Sequence, residues 1–87
     1  MQQQEFLDRL RADGFAEVTT VERGPGGLDL HTHPFEARAL ILDGEIALTV
    51  DGHTTAYRAG DIFHLAAGVA HSERYGPQGV RYLVGRR

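Results

Sequence analysis

The amino-acid sequence predicts an all-β fold, an antiparallel sandwich or closed barrel, preceded by one short α-helix. Three observations predict it. Apolar residues alternate with period two from residue 15 onward, turn signals recur every 6–12 residues, and the helical period appears at 2–13 alone. With 87 residues there is room for one domain with a small core, read as a helix in 1–14 packed on a barrel of 15–87.

In the helix, Phe6, Leu7 and Leu10 share one face of a 3.6-residue period. Glu5 and Asp8 sit early and Arg9 and Arg11 late, which suits the helix dipole, and Gly14 is the stop. Residues 15–23 are rich in β-branched types and read as the first strand. GPGG at 24–27 reads as a loop, and LDLHTH as a short strand ended by Pro34. Residues 37–42 form the next strand, turned by Asp43-Gly44. In 45–50, Ile46, Leu48 and Val50 take one face and Glu45, Ala47 and Thr49 the other. Asp51-Gly52 is the strongest hairpin signal, because a type I′ turn needs positive φ at both central residues. HTTAY returns from it. Then follow 61–65, a turn at 66–68, 69–75, a GPQG turn at 76–79 and 80–84, with Arg86-Arg87 read as a solvated tail.

Composition narrows the chemistry. There is no cysteine, so disulfides, thiolate metal sites and a cysteine nucleophile are excluded. Lysine is absent too, which excludes Schiff-base chemistry and a P-loop, and a lone Ser72 argues against a serine hydrolase. Nine arginines face twelve carboxylates, for a formal net charge of −3, and they form no basic stripe; no nucleic-acid partner is expected. No apolar run approaches the ~18 residues of a membrane span, and the first residues lack a signal-peptide pattern, so no membrane partner and a cytoplasmic location are expected. Five histidines make imidazole the chemistry to follow.

His31 and His33 stand at i, i+2, so on a strand they leave one face with Cα atoms ~6.5–7 Å apart. Two imidazoles so placed can converge on one ion, although two histidines on a solvent face give the same pattern. The surrounding stretches are more specific. GPGGLDLHTHPFEARALILDG resembles the first motif of the cupin superfamily, in which a glycine and spacer precede H-x-H, a short loop, a carboxylate, six residues and a closing glycine. GDIFHLAAGVAHSERY resembles the second motif: Gly60, Gly68 and His71 fall in place, while Ala66 stands where proline is usual and Tyr75 where asparagine is usual. Fifteen residues separate Gly44 from Gly60, the short connection typical of that family. The resemblance covers roughly residues 24–84 and implies a double-stranded β-helix, a jelly-roll barrel of a small single-domain cupin.

That resemblance implies His31, His33 and His71 as metal ligands at the barrel mouth. The family's carboxylate ligand falls on Ala37 here. Glu36, one residue earlier, is turned the wrong way by alternation and joins the site only if the Pro34-Phe35 loop bulges. The expected set is three histidines completed by water or substrate, with Glu36 as a fourth ligand in the alternative. The cofactor is a divalent transition metal: Fe, Mn, Ni, Cu or Zn. His71, Glu73 and Tyr75 alternate onto one face, so Glu73 and Tyr75 are the catalytic candidates, placed to orient a ligand histidine or move protons. The other reading pairs Glu73 with Arg74, Arg81 or Arg38 at the rim.

His53 is expected to be exposed, and His64 to face solvent or a partner subunit. Tyr57 and Tyr82 are core or cavity wall, Phe35 and Phe63 core or pocket wall, and Asp61 a turn residue bonded to local backbone. No arginine pair is assigned an inward position.

Two functions follow. One is a metal-dependent oxygenase, which the resemblance to three-histidine cupins implies for a small thiol, diketone or phenolic substrate. The other is a non-catalytic module that binds or senses a small molecule. A barrel that has lost its activity is the blander third, opposed by the cost of turning three imidazoles toward an apolar cavity without a partner. A homodimer is expected, since so small a barrel leaves apolar edges to cover.

Overall fold

The computed structural model describes residues 2–87; Met1, the first residue of the expected 1–14 segment, lies outside the described residues. One helix, α1 (Gln3–Ala12), precedes six strands: β1 (Glu17–Arg23), β2 (Gly26–His31), β3 (Ala37–Val50), β4 (His53–Arg58), β5 (Ile62–Leu65) and β6 (His71–Arg86). All strand pairing is antiparallel. The result is the cupin-type β-barrel that the motifs imply.

Two long strands, β3 and β6, form a spine and pair with each other along most of their length. On the far side of β3, β5 pairs with Ala37–Leu40 and β4 with Glu45–Val50. On the far side of β6, β2 pairs near its start and β1 near its end. The spine bends midway, so its two halves face one another across a core of Ala39, Ile41, Ile46, Leu48, Phe63 and Val84.

The bend corrects two expected turns. Asp43-Gly44 and GPQG do not reverse the chain; each lies inside a continuous strand. The β3–β6 register shifts between Ile41 and Asp43 and again between Gly44 and Ile46. A bulge of this kind moves one face of a strand to the other. Thus Ala37, Ala39 and Ile41 face the core before it, and Ile46 and Leu48 after it. Backbone angles explain why one Asp-Gly pair turns and the other does not. At Asp51-Gly52 both residues have positive φ, 50° and 77°, and Val50 pairs with His53 across a two-residue turn. At Asp43-Gly44 only the glycine does, with φ 74°. A Cβ on Gly44 would run into the backbone of Gly79 on β6.

α1 covers the outside of the bent spine. Phe6 and Leu10 pack with Phe15, Leu40 and Leu83 in a second core, on residues that alternate with the barrel-facing ones of β3 and β6. This packing supplies the stability that so short a helix lacks alone.

The C-terminus is not a solvated tail. Arg86 belongs to β6, and the Arg87 backbone exchanges hydrogen bonds with Glu36 at 2.9 and 3.1 Å. The Arg87 guanidinium bonds Glu36 Oε1 at 2.6 Å and the Asp13 carbonyl, and lies over the Phe15 ring with Arg38. Chain end, helix end and the loop before β3 are therefore tied together. No helix among the described residues is long and apolar enough to cross a membrane.

Candidate metal centre

Antiparallel pairing of β2 with β6 brings the two motifs together: His31 stands opposite His71 after a bulge that follows the Leu28–Glu73 pair. His33 lies just past β2, where its carbonyl accepts a 2.8 Å hydrogen bond from the Gly68 amide. The three imidazoles converge, with ring centroids 4.3–5.2 Å apart. Glu73 completes the cluster, and one donor atom from each of His31, His33, His71 and Glu73 lies within 4.8 Å of the others.

Two backbone carbonyls set the histidine tautomers. His31 Nδ1 lies 2.6 Å from the Asp29 oxygen and His71 Nδ1 3.0 Å from the Val69 oxygen. A carbonyl can only accept, so both Nδ1 atoms carry a proton and the Nε2 atoms are the ones turned toward Glu73. Those Nε2 atoms each stand 3.3 Å from Glu73 Oε2, yet both are buried and without a hydrogen-bond partner. His71 is 1% exposed. Burial, with the charges of His31 and His71, holds the His33 imidazole below the ordinary histidine range and so favours its neutral, ligating form.

Tyr75 stands behind the carboxylate. Its hydroxyl donates to Glu73 Oε1 at 2.9 Å, leaving Oε2 toward the histidines. Burial, and then the hydrogen bond to Glu73, push the phenol up to about 12, so it remains a proton donor at neutral pH.

Glu36 does not reach this cluster. The loop at Pro34-Phe35 leaves it facing the outside of the barrel, where His64 and Arg87 hold its two oxygens. Those two hydrogen bonds, His64 first, keep its carboxyl below the usual carboxylate range. His64 faces outward as expected but meets Glu36 rather than only solvent, and His53 is exposed. Asp61 accepts a 2.9 Å hydrogen bond from the Arg58 amide, a turn role. Ala37 is buried in the barrel and lines the cavity with its methyl group. The carboxylate in the cluster thus comes from β6, two residues after His71, and not from the first motif. Alternation placed Glu73 on this face; its reach to both Nε2 atoms is a matter of side-chain geometry.

Beside the cluster lies a cavity of about 80 Å³. His33, His71 and Glu73 form one side, and Phe35, Phe63, Leu65 and Val84 much of the rest. Tyr82 also lines it, while Tyr57 packs against the barrel core, 5.7 Å from Phe63 between ring centroids. Arg23 and Arg86 line it as well, the arginine pair not expected inside. The signal was present: Tyr82, Val84 and Arg86 alternate onto one face of β6, and Val21 and Arg23 onto one face of β1.

The donor set fits a divalent transition metal. Two buried imidazole nitrogens lack a hydrogen-bond partner, a third imidazole is shifted toward its neutral form and a carboxylate oxygen faces the pair. Buried imidazole nitrogens left without a hydrogen-bond partner are costly.

Solved structures with this fold are numerous. A protein of unknown function from Rhizobium leguminosarum superposes with a TM-score of 0.75 at 19% identity, over 79% of this chain and 66% of that one. A cupin-2 domain protein from Shewanella frigidimarina gives 0.67 at 15%, over 77% and 65%. The Cupin_2 domain of an XRE-family transcriptional regulator from Enterobacter cloacae gives 0.68 at 16%, over 80% and 78%. The chain thus spans slightly less than two thirds of the first two proteins, and at these identities the likeness concerns the fold. No curated protein matches the sequence. The Cupin_2 family model of the cupin domain matches residues 17–83, and on that match, with the barrel and its convergent histidines, the chain belongs to the cupin family.

Proposed function

We propose that this cupin binds one divalent transition metal through His31, His33, His71 and Glu73 and acts as an oxygenase on a small organic molecule held in the adjoining cavity. The observation that carries this reading is the pair of buried, unpartnered Nε2 atoms facing one carboxylate oxygen. A bound Fe, Mn, Ni, Cu or Zn ion would supply Lewis acidity and, for the redox-active metals, a site for dioxygen chemistry.

The chain's own residues have definable roles. Asp29 and Val69 carbonyls hold the His31 and His71 rings with Nε2 toward the cluster. Tyr75 orients Glu73 and keeps a proton at its Oε1. Phe63, Leu65 and Val84 supply an apolar wall that excludes water from part of the cavity.

The test is metal analysis of protein purified without a histidine tag, followed by oxygen uptake by iron-loaded protein with small organic substrates. Near-stoichiometric metal that is lost in His31→Ala, and substrate-dependent oxygen consumption, are expected. Metal-free protein with unchanged stability would sink the reading. A second reading, a non-catalytic ligand-binding module, is favoured by one observation: the similar Enterobacter cloacae domain is part of a transcriptional regulator. It predicts metal and ligand binding without oxygen uptake.

A further inference from the structure

The cavity beside the histidine cluster is charged in an unequal way. Arg23 and Arg86 line it, and Glu73 is the only carboxylate among its lining residues. A divalent ion at the cluster would add to the positive excess.

Arg86 is the better defined of the two cations. Its guanidinium carbon lies 4.7 Å from the centre of the Phe35 ring. Its ion pair with Glu17 is long, 3.8 Å, and Glu17 is largely exposed. Its Nε is buried and has no hydrogen-bond acceptor. A guanidinium nitrogen without an acceptor calls for a partner, and the planar fork matches a carboxylate. Arg23 lines the same cavity as Glu73. Phe63, Leu65 and Val84 give the same cavity an apolar wall. The volume, about 80 Å³, lies well below the roughly 300–1,000 Å³ of drug-sized sites.

We propose that the ligand of this cavity is a short-chain carboxylate, its carboxylate group on Arg86 and its apolar body against Phe63, Leu65 and Val84. Arg23 is the second cation, and the end of the ligand away from Arg86 lies toward the histidine cluster. The inference rests on the reading of this cavity as a ligand site and names the class of molecule it takes.

The experiment uses full-length protein treated with a chelator, titrated calorimetrically with propionate, propionamide and inorganic phosphate. Propionate is expected to bind about tenfold or more tightly than its neutral amide and than phosphate, because the amide lacks the charge and phosphate the apolar body. In ¹⁵N-labelled wild-type protein the Arg86 Nε–H resonance is expected to shift with the same saturation curve. Arg86→Gln should weaken propionate binding about tenfold or more, with Arg86→Lys in between. Equal binding of propionate and propionamide, equal binding of phosphate, or no binding would overturn the proposal. So would an Arg86→Gln variant that binds as wild type does. Should Arg86→Gln fail to fold, the Nε–H titration on wild-type protein decides, and an unmoved resonance counts against the proposal. Zinc uptake, read separately by chelator competition, keeps the two readings apart. Intact zinc uptake without propionate binding overturns this inference alone; propionate binding without zinc uptake overturns the metal site alone.

Discussion

Adding zinc to the metal-free protein should raise its melting temperature, and His71→Ala should remove most of that rise. A ligand present at 100 times its dissociation constant stabilises the native state by about 2.7 kcal/mol. In a domain of this size each kcal/mol moves the melting point by about 4–8 °C, so the wild-type rise is about 11–22 °C. His71 supplies one of the two orphaned Nε2 atoms and is 1% exposed, so no other side chain can take its place. Losing a direct ligand should cost at least the ~100-fold at the upper end of what outer partners of a ligand cost. At the same zinc concentration the linkage term then falls to about 0.4 kcal/mol, a rise of only ~2–3 °C. The variant's metal-free melting point will itself fall, because truncating a buried ring leaves a cavity. The measured quantity is therefore the zinc-induced difference, by differential scanning calorimetry. His53→Ala, at an exposed position outside the cluster, is the control and should keep the full rise. An equal rise in wild type and His71→Ala, or its loss in His53→Ala, would refute the assignment of these ligands.

The two glutamates separate by the same logic: Glu73→Gln should weaken zinc binding at least about tenfold in chelator competition, whereas Glu36→Gln should leave it unchanged. Acid stability should carry the signature of Glu36, whose folded-state pKa lies below its ordinary value of 4.5. A depressed carboxyl contributes stability that is present above pH 4.5 and lost as pH falls through the lowered value, so urea midpoints of wild type and Glu36→Gln should differ at neutral pH and converge in acid. Gly44→Ala and Gly52→Ala both place alanine at positive φ, at a cost of about 1–2 kcal/mol, but only the former meets backbone across the spine. Urea denaturation should show Gly44→Ala clearly the more damaging, and equal losses would contradict the bulge geometry. Light scattering at micromolar concentration should report a homodimer, since β1 and β2 expose Val18, Leu28 and Leu30; a monomeric mass would exclude it.

Much of the barrel was legible because alternation is a one-dimensional signal. Ile46 and Leu48 pointed to a core face, Asp51-Gly52 to a hairpin, and Phe6 and Leu10 to a docked helix, all as observed. The histidine trio was legible because both motifs carry it in the chain itself. Alternation puts Glu73 on the right face, as a group to orient a ligand histidine or move protons; its reach to two imidazoles from another strand is not written in spacing. Arg23 and Arg86 lie at the ends of β1 and β6, and which face an end residue takes depends on strand pairing that continues through them.

The sequence by itself determined which residues alternate, where the backbone can turn tightly, and which three histidines can meet. The first two depend on nearest neighbours along the chain; the third rests on the resemblance to the two cupin motifs. Only the tertiary structure decided whether Asp43-Gly44 reverses the chain or bends it. That outcome depends on Gly79, far away in sequence, whose backbone lies against Gly44. Tertiary contacts also decided which carboxylate joins the histidines: His64 and Arg87 hold Glu36 outside the barrel, while Tyr75 holds Glu73 within it. The physical reason is common to both. A bulge or a side-chain rotamer changes a residue's neighbours within one position, and its energy is set by groups that only folding brings into contact.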